Sequence, residues 1–283
     1  MTVNLTDRAN ELKNRLASIR ENDFAVPEGT DAYEIAFEIL DHLDSLDPEL
    51  RDNLGMTTLG RWIYVQDRFT PEQLRAMLER VLREDLYFNG IGEVEGERVF
   101  LRSFCSLTLA LMVARDNKNA FLTEDELRSV MAQVLRYCRE ELDLRGFHPD
   151  YGWAHAAAHV ADVVDELVKS RYVTAADCLA LWDGLQALVA HAPTVFSFEE
   201  DERIAFPLWA MLAEGKADVA TIAGWLKNAL PEKKSVSYDR FLIHKTNLKH
   251  VTRSLYFRLR KENLLSEEAE AQLRGVQDEF ASL

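Results

Sequence analysis

The sequence predicts an all-α protein of stacked helix pairs, an α-α superhelix. Apolar residues recur at helical spacing almost throughout the chain, as in Leu74, Met77, Leu78 and Val81. Alternation with a period of two residues, which would indicate strands, is nearly absent. Helix-capping motifs also repeat at intervals that fit two helices with their turns. Together, these patterns predict a repeat of paired helices rather than a mixed fold.

Five segments carry the signature of a helix N-terminus, and they follow Thr70, Thr123, Thr174, Asp218 and Ser266. Each begins with a hydroxyl or carboxylate side chain that can accept a hydrogen bond from the first turn. The five caps lie 44 to 53 residues apart. A period in this range is typical of HEAT and armadillo solenoids, in which each helix pair buries its apolar stripe on the next. The alternative is an irregular helical bundle in which the cap spacing is coincidental.

Length and composition predict one helical-repeat domain over residues 1–283. The chain has 283 residues, of which 47% are hydrophobic, so it can bury a large core. No Pro/Ser-rich linker divides it. Three cysteines are widely spaced within apolar helical patterns, which favours core packing over disulfides or a metal knuckle. They are Cys105, Cys138 and Cys178.

Charge and hydropathy restrict the location and the partners. The longest apolar stretch, residues 104–114, is far shorter than the ~20 residues that span a bilayer. The N-terminal residues lack the features of a secretory signal, so we expect a cytoplasmic protein without a membrane partner. The formal charge of -15 disfavours nucleic acid as a partner. A protein or a small molecule is the expected ligand.

The segment from residue 143 to 162 has the least ordinary composition in the chain. We expect Gly146, Pro149 and Gly152 to form a turn, followed by a helix. At 100° per residue, one face of this helix would carry polar groups and the opposite face would pack. The polar face comprises His155, His159, Asp162 and Glu166, and the packing face comprises Trp153, Ala157, Val160, Val164 and Leu167.

Three interpretations of His155 and His159 remain open. Histidines at i and i+4 can share a divalent metal ion, with His148 and Asp150 as the nearest additional ligands. The same imidazoles could line a pocket for a ligand or partner, or they could hydrogen-bond to the adjacent repeat. The general-base glutamate of a zincin HExxH motif is missing, because Ala156 stands at that position.

Several segments together resemble a known bacterial family, the domain of unknown function 2785. They are RGF, GWAHAAAHVAD, DPELRDNLGMTTLGRWI and SLYFRL, and they lie between Asp47 and Leu259. The resemblance implies a HEAT-like helical fold and no established activity. It also implies a family hallmark at Arg145, Gly146, Gly152, Trp153, His155, His159 and Asp162.

Two charged segments are further candidates for binding. Arg203 lies within an acidic run, where Ser197 and Glu200 have the spacing of a capping box. It could reach a neighbouring carboxylate, or it could hold a ligand carboxylate or phosphate. Residues 240–261 contain seven Lys or Arg residues after Asp239 and no acid. The core of that basic patch is Lys245, Lys249 and Arg253. Cations that lie toward a helix C-terminus or beside acidic neighbours are the simpler explanation of it.

The leading functional hypothesis is a helical-repeat binding or scaffold protein with a polar pocket. Its candidate residues are Arg145, His148, Trp153, His155, His159, Asp162 and Arg203. The alternative is a metal-dependent hydrolase in which His155 and His159 hold a divalent metal that activates water. No glycine-rich phosphate loop or GxSxG elbow is present. The sequence therefore leaves open whether the protein is an enzyme.

Overall fold

The structure, a computed structural model, describes residues 5–282 and confirms an all-α protein. The N-terminal part contains α1 (Leu5–Glu21), α2 (Ala32–Leu40), α3 (Thr57–Gly60), α4 (Pro71–Val81) and α5 (Arg98–Lys118). Two π-helical segments, Glu49–Met56 and Arg61–Val65, flank α3. After α6 (Glu124–Glu140) comes a hairpin of β1 (Phe147–His148) and β2 (Gly152–Trp153). The remaining helices are α7 (Ala156–Lys169), α8 (Ala175–His191), α9 (Glu200–Ala213), α10 (Val219–Asn228), α11 (Tyr238–Lys261) and α12 (Glu267–Ser282).

Each of the five predicted caps precedes a helix, and these helices are α4, α6, α8, α10 and α12. The Thr70 hydroxyl accepts from the backbone N–H of Gln73 at 3.3 Å. The Asp218 carboxylate accepts from the backbone N–H of Thr221 at 2.7 Å. Such bonds satisfy N–H groups that have no partner inside a helix. The caps therefore correctly located the starts of these five helices, which are every second helix from α4 onward.

The odd-numbered helices pack on one another in chain order: α5 on α7, α7 on α9, and α9 on α11. Among the even-numbered helices, α6 packs on α8 and α10 packs on α12. Helix α7 therefore lies between α5 and α9. Its first turns carry the small residues Ala156, Ala157, Ala158 and Ala161, all buried, which let the neighbouring helices approach closely.

A buried ion pair fixes the loop between α4 and α5 to the core. Arg102 donates from Nε and Nη2 to the two carboxylate oxygens of Glu141, at 2.7 and 2.8 Å. Its Nη1 donates to the carbonyl oxygens of Asn89 and Gly90, at 2.7 and 3.1 Å. Both charged side chains are 0% exposed. Backbone carbonyls of the loop thus accept the hydrogen bonds that the carboxylate leaves to Nη1.

The cysteine prediction is confirmed, because Cys105, Cys138 and Cys178 are free and buried in the core. Burial also raises the pKa of the Cys105 thiol, which keeps it neutral. Within residues 5–282, no helix is both long enough and apolar enough to cross a membrane.

Candidate functional site: a polar pocket beside the start of α7

The segment before α7 folds differently from the sequence prediction. Helix α7 begins at Ala156, and residues 147–153 form a short hairpin in which Phe147 pairs with Trp153. His155 is the N-cap, with a left-handed φ of 52°. Trp153 is therefore outside the helix and 37% exposed, so its predicted place on the packing face was wrong. Ala157 and Val160 are buried as predicted.

Two glycines allow the hairpin to approach its neighbours. Gly152 has a φ of +74°, and a Cβ there would lie 2.8 Å from the Cβ of Pro48. A Cβ on Gly146 would lie 2.4 Å from the ring of Phe198. Both distances are below normal van der Waals contact. A larger residue at either position would therefore push this segment away from Pro48 or from Phe198.

Arg51 holds the second half of the hairpin from inside the protein. Its Nη2 donates to the carbonyl oxygens of Tyr151, at 2.5 Å, and Trp153, at 3.3 Å. The guanidinium lies 4.4 Å from the ring centroid of Phe100 and 4.7 Å from that of Phe104. Arg51 is 1% exposed, and burial lowers its pKa to about 10. It remains a cation at neutral pH and anchors Trp153 through the backbone.

His159 uses one ring nitrogen to bind α5. The hydroxyl of Ser103 donates to the carbonyl oxygen of Ala154 and lies 2.8 Å from Nδ1 of His159. Because the hydroxyl proton is already committed, we assign Nδ1–H of His159 as the donor to Ser103. Nε2 then carries a lone pair and hydrogen-bonds to no other described residue. His159 is 6% exposed, and burial holds its pKa well below its usual range.

His155 is arranged in the same way. Its Nε2 donates to the carbonyl oxygen of Phe198 at 2.7 Å, which leaves Nδ1 with a lone pair and no partner among the described residues. Its ring stacks on Trp153, with centroids 4.7 Å apart, and lies 5.6 Å from the ring of His159. Burial lowers the pKa of His155. Two neutral imidazoles therefore stand side by side, each with one free nitrogen.

An ion pair between α7 and α9 borders the histidines. Nη1 of Arg203 donates to both carboxylate oxygens of Asp162, at 2.6 and 2.7 Å. Burial raises the pKa of Asp162 to about 6, although Arg203 opposes that rise. Nε and Nη2 of Arg203 bind no described residue. The prediction that Arg203 could reach a neighbouring carboxylate is thus confirmed.

The predicted Ser197–Glu200 capping box was wrong. Helix α9 begins at Glu200, and its N-cap is Glu199, with a left-handed φ of 68°. The Glu200 carboxylate instead accepts from the backbone N–H of Phe198 at 2.9 Å. This turn places the Phe198 carbonyl against His155 and leaves the Phe198 ring 40% exposed.

These groups enclose a pocket of about 310 Å³ between α5, α7 and α9. Its size suits a small molecule rather than a macromolecular segment. At its edge, Phe147 meets Trp153 edge to face, with ring centroids 5.0 Å apart. The pocket is lined by Asp52, Leu107, Trp153, His155, His159, Phe198, Glu199 and Arg203.

Three candidate residues, Arg145, His148 and Asp162, do not line this pocket. Arg145 donates to the Asp143 carboxylate at 2.8 and 2.6 Å and to the carbonyl of Gly96. His148 accepts from the backbone N–H groups of Asp150, at 3.2 Å, and Tyr151. Both side chains stabilise the loops that carry the hairpin. Asp162 contributes to the pocket only by accepting hydrogen bonds from Arg203.

The basic row on α11 is separate from the pocket. Arg253 donates to the side chain of Gln277 on α12 at 3.2 Å, and Lys245 lies 5.8 Å from the ring centroid of Phe241. The backbone carbonyl of Lys249 accepts from Gln277 at 3.0 Å. Arg253 also lines a larger cleft of about 720 Å³ between α9 and α11. Within residues 5–282, no cluster of three or more His, Cys, Asp or Glu side chains could hold a metal ion.

Sequence reasoning missed Asp52, Phe198 and Glu199 as pocket residues. Asp52 lies in a π-helical segment about a hundred positions before the histidines, so no local pattern connects them. Its one signal is its position inside DPELRDNLG, a segment of the family resemblance. Burial raises the pKa of the Asp52 carboxyl.

Fold and site together define an all-α protein with a pocket built on two neutral histidines. The chain belongs to the family described as "Protein of unknown function (DUF2785)", whose sequence model matches residues 87–257. The matched region runs from the loop before α5 to α11 and includes most of the pocket. No curated protein and no solved structure matches the chain.

Proposed function

We propose that this protein is a HEAT-like helical-repeat binding protein whose single domain over residues 1–283 presents the pocket beside α7 to a small-molecule ligand. The even spacing of the capped helices and the stacking of α5, α7, α9 and α11 support the superhelix. Small-molecule pockets commonly form between packed helices and combine apolar walls with a few polar groups.

The main support for the proposal is that His155 and His159 each hydrogen-bond to the protein through only one of their two ring nitrogens. His155 and His159 are 8% and 6% exposed, yet each leaves a ring nitrogen without a described partner. Neither nitrogen is one of the buried side-chain atoms that lack a hydrogen-bond partner, so both remain open to the pocket. A ligand that donates hydrogen bonds can therefore reach them.

Ligand-observed NMR with a library of small metabolites tests the proposal. Hits should bind the wild-type protein and lose at least tenfold in affinity to the Trp153→Ala/Phe198→Ala double variant. Phe257→Ala is the matched control, because Phe257 is 65% exposed and lines the α9–α11 cleft instead. Hits that bind the double variant unchanged, or a library without hits, would contradict the proposal.

A metal-dependent hydrolase remains the second candidate, and the same free nitrogens favour it. Each could ligate a divalent ion that lowers the pKa of bound water. Elemental analysis of protein purified without a His tag tests this candidate. Stoichiometric metal that disappears in a His155→Ala/His159→Ala variant would support it, and metal-free wild-type protein that takes up no zinc on dialysis would exclude it.

A further inference from the structure

The charged and polar groups that line the pocket are mostly hydrogen-bond acceptors. Nδ1 of His155 and Nε2 of His159 are lone-pair nitrogens, as derived above. The carboxylates of Asp52 and Glu199 complete the set. Neither carboxylate forms a hydrogen bond or ion pair with any residue in the part of the chain that the structure describes. The free Nε and Nη2 of Arg203 are donors in the same lining, but the histidine and carboxylate acceptors outnumber them, which favours a ligand that supplies mainly donors.

The charges of the lining also favour a positively charged ligand. Arg203 is the cation of the lining, and the bond of its Nη1 to both oxygens of Asp162 balances its charge. Arg51 does not line the pocket and donates its hydrogen bonds to backbone carbonyls, although its charge opposes the rise in the pKa of the Asp52 carboxyl. The carboxylates of Asp52 and Glu199 are the lining charges that have no ion-pair partner. A bound cation would also offset the desolvation that raises the pKa of Asp52.

The aromatic groups distinguish an organic cation from a metal ion. Trp153 and Phe198 line the pocket and are 37% and 40% exposed, with ring centroids 6.0 Å apart. Aromatic faces attract ammonium groups and pack on the carbon skeleton that carries them. A hydrated metal ion would gain little from such a surface.

We propose that the pocket binds a small organic ammonium compound, whose N–H groups donate to the His155 and His159 nitrogens and whose charge is balanced by Asp52 and Glu199. The carbon skeleton lies against Trp153 and Phe198. This inference rests on the proposed function, because it specifies the ligand class of the same pocket.

Three probes of nearly equal size test the ligand class: 2-phenylethylammonium, 2-phenylethanol and 3-phenylpropanoate. In titrations followed by ligand-observed NMR at pH 7.5, we expect the ammonium compound to bind at least tenfold more tightly than the alcohol. The carboxylate should bind more weakly still, because Asp52 and Glu199 repel it. Glu199→Gln and Asp52→Asn should each reduce the preference for ammonium over alcohol about tenfold.

Glu202→Gln is the matched control, because Glu202 is an exposed acid in the first turn of α9 that lines the neighbouring cleft. It should leave the preference unchanged. Equal binding of ammonium and alcohol, or tighter binding of the carboxylate, would overturn the ligand class while leaving a small-molecule pocket intact. Binding of none of the three probes would also overturn it. Only a failure of the metabolite library would contradict the pocket itself.

Discussion

The two arginine–carboxylate pairs at the centre of the molecule, Arg102–Glu141 and Arg203–Asp162, contain the same chemical groups in opposite situations. Arg102 binds Glu141 through two nitrogens and the loop carbonyls through the third, and both side chains are fully buried. Arg203 binds Asp162 through Nη1 alone, and its side chain is 37% exposed. Every nitrogen of one guanidinium has an acceptor within the protein, whereas two nitrogens of the other have none among the described residues.

This difference separates a structural arginine from one at a binding surface. A guanidinium has five N–H donors, and burial requires that they find acceptors. The protein supplies those acceptors around Arg102 with a carboxylate and two loop carbonyls. Nε and Nη2 of Arg203 have no such acceptor in the described part of the chain. Arg203 lines a pocket together with His155 and His159, each of which has one ring nitrogen without a described partner. Polar atoms without a protein partner that face the same pocket fit the binding role proposed for it.

The largest expected effect comes from breaking the fully buried pair. Arg102→Met should lower the free energy of unfolding by about 3–5 kcal/mol, because Glu141 is left as a buried charge without its partner. Urea denaturation at pH 7 measures this loss. The Arg102→Met/Glu141→Leu double variant should recover most of it, since both charges are then removed.

Arg83→Met is the control for this experiment, because Arg83 pairs with Asp85 while both side chains are more than half exposed. It should cost less than about 1 kcal/mol. If Arg102→Met were as mild as Arg83→Met, the pair would not be the structural anchor that its geometry indicates.

The sequence could predict the helix pairs but only part of the pocket. Caps such as Thr70 and Asp218 act within one turn of their own helix, so local patterns are enough to locate them. His155 and His159 were also found from spacing. Their hydrogen-bond partners, Phe198 and Ser103, lie 43 and 56 residues away, and tertiary packing alone brings them together. The helix start at Ala156 was missed because the left-handed turn at His155 has no glycine to mark it.

The next largest expected effect is a pH dependence of stability, and it arises from His159 in the pocket. Near Arg102, burial raises the pKa of the neutral groups Tyr137 and Cys138, so neither gains charge between pH 5 and 8. Burial instead lowers the pKa of His159 below the ordinary 6.5. Below pH 6.5 the unfolded chain therefore binds a proton at this residue that the folded protein does not. The stability that neutral His159 provides is present above pH 6.5 and lost as the pH falls.

The His159→Asn variant isolates this contribution, because the amide can still donate to Ser103 but does not titrate. Relative to the variant, the wild-type protein should lose stability as the pH falls below 6.5, by at most about 1.4 kcal/mol for each pH unit. Urea denaturation of both proteins from pH 8 to 5 measures the difference. A difference that stays constant with pH would show that folding does not shift the pKa of His159, which would contradict the effect of its burial.

A smaller stability effect is expected from removing the pocket arginine. Arg203→Met should cost only about 1 kcal/mol, because the guanidinium is more than a third exposed and its ion pair is screened. The loss measured by urea denaturation should thus be well below that of Arg102→Met. Equal losses would contradict the distinction between a satisfied and an unsatisfied arginine.

The smallest effect should come from Asp162→Asn, which is the counterpart of Glu141→Gln. Burial raises the pKa of Asp162 from 3.8 to about 6, so ionised Asp162 destabilises the folded protein at pH 7. Its favourable contribution is present below pH 3.8 and is lost as the pH rises through 6. Asparagine keeps a hydrogen-bond acceptor for Arg203 without the buried charge. We therefore expect Asp162→Asn to leave stability at pH 7 unchanged or raise it by up to about 1 kcal/mol, with the gain shrinking toward pH 4.

Glu141→Gln should instead lower the free energy of unfolding by about 3 kcal/mol, because no solvent reaches Arg102 to replace the lost carboxylate. Thermal and urea denaturation of both variants at pH 7 and pH 4 measure these changes in stability. If Asp162→Asn destabilised the protein as much as Glu141→Gln, the two pairs would be equivalent.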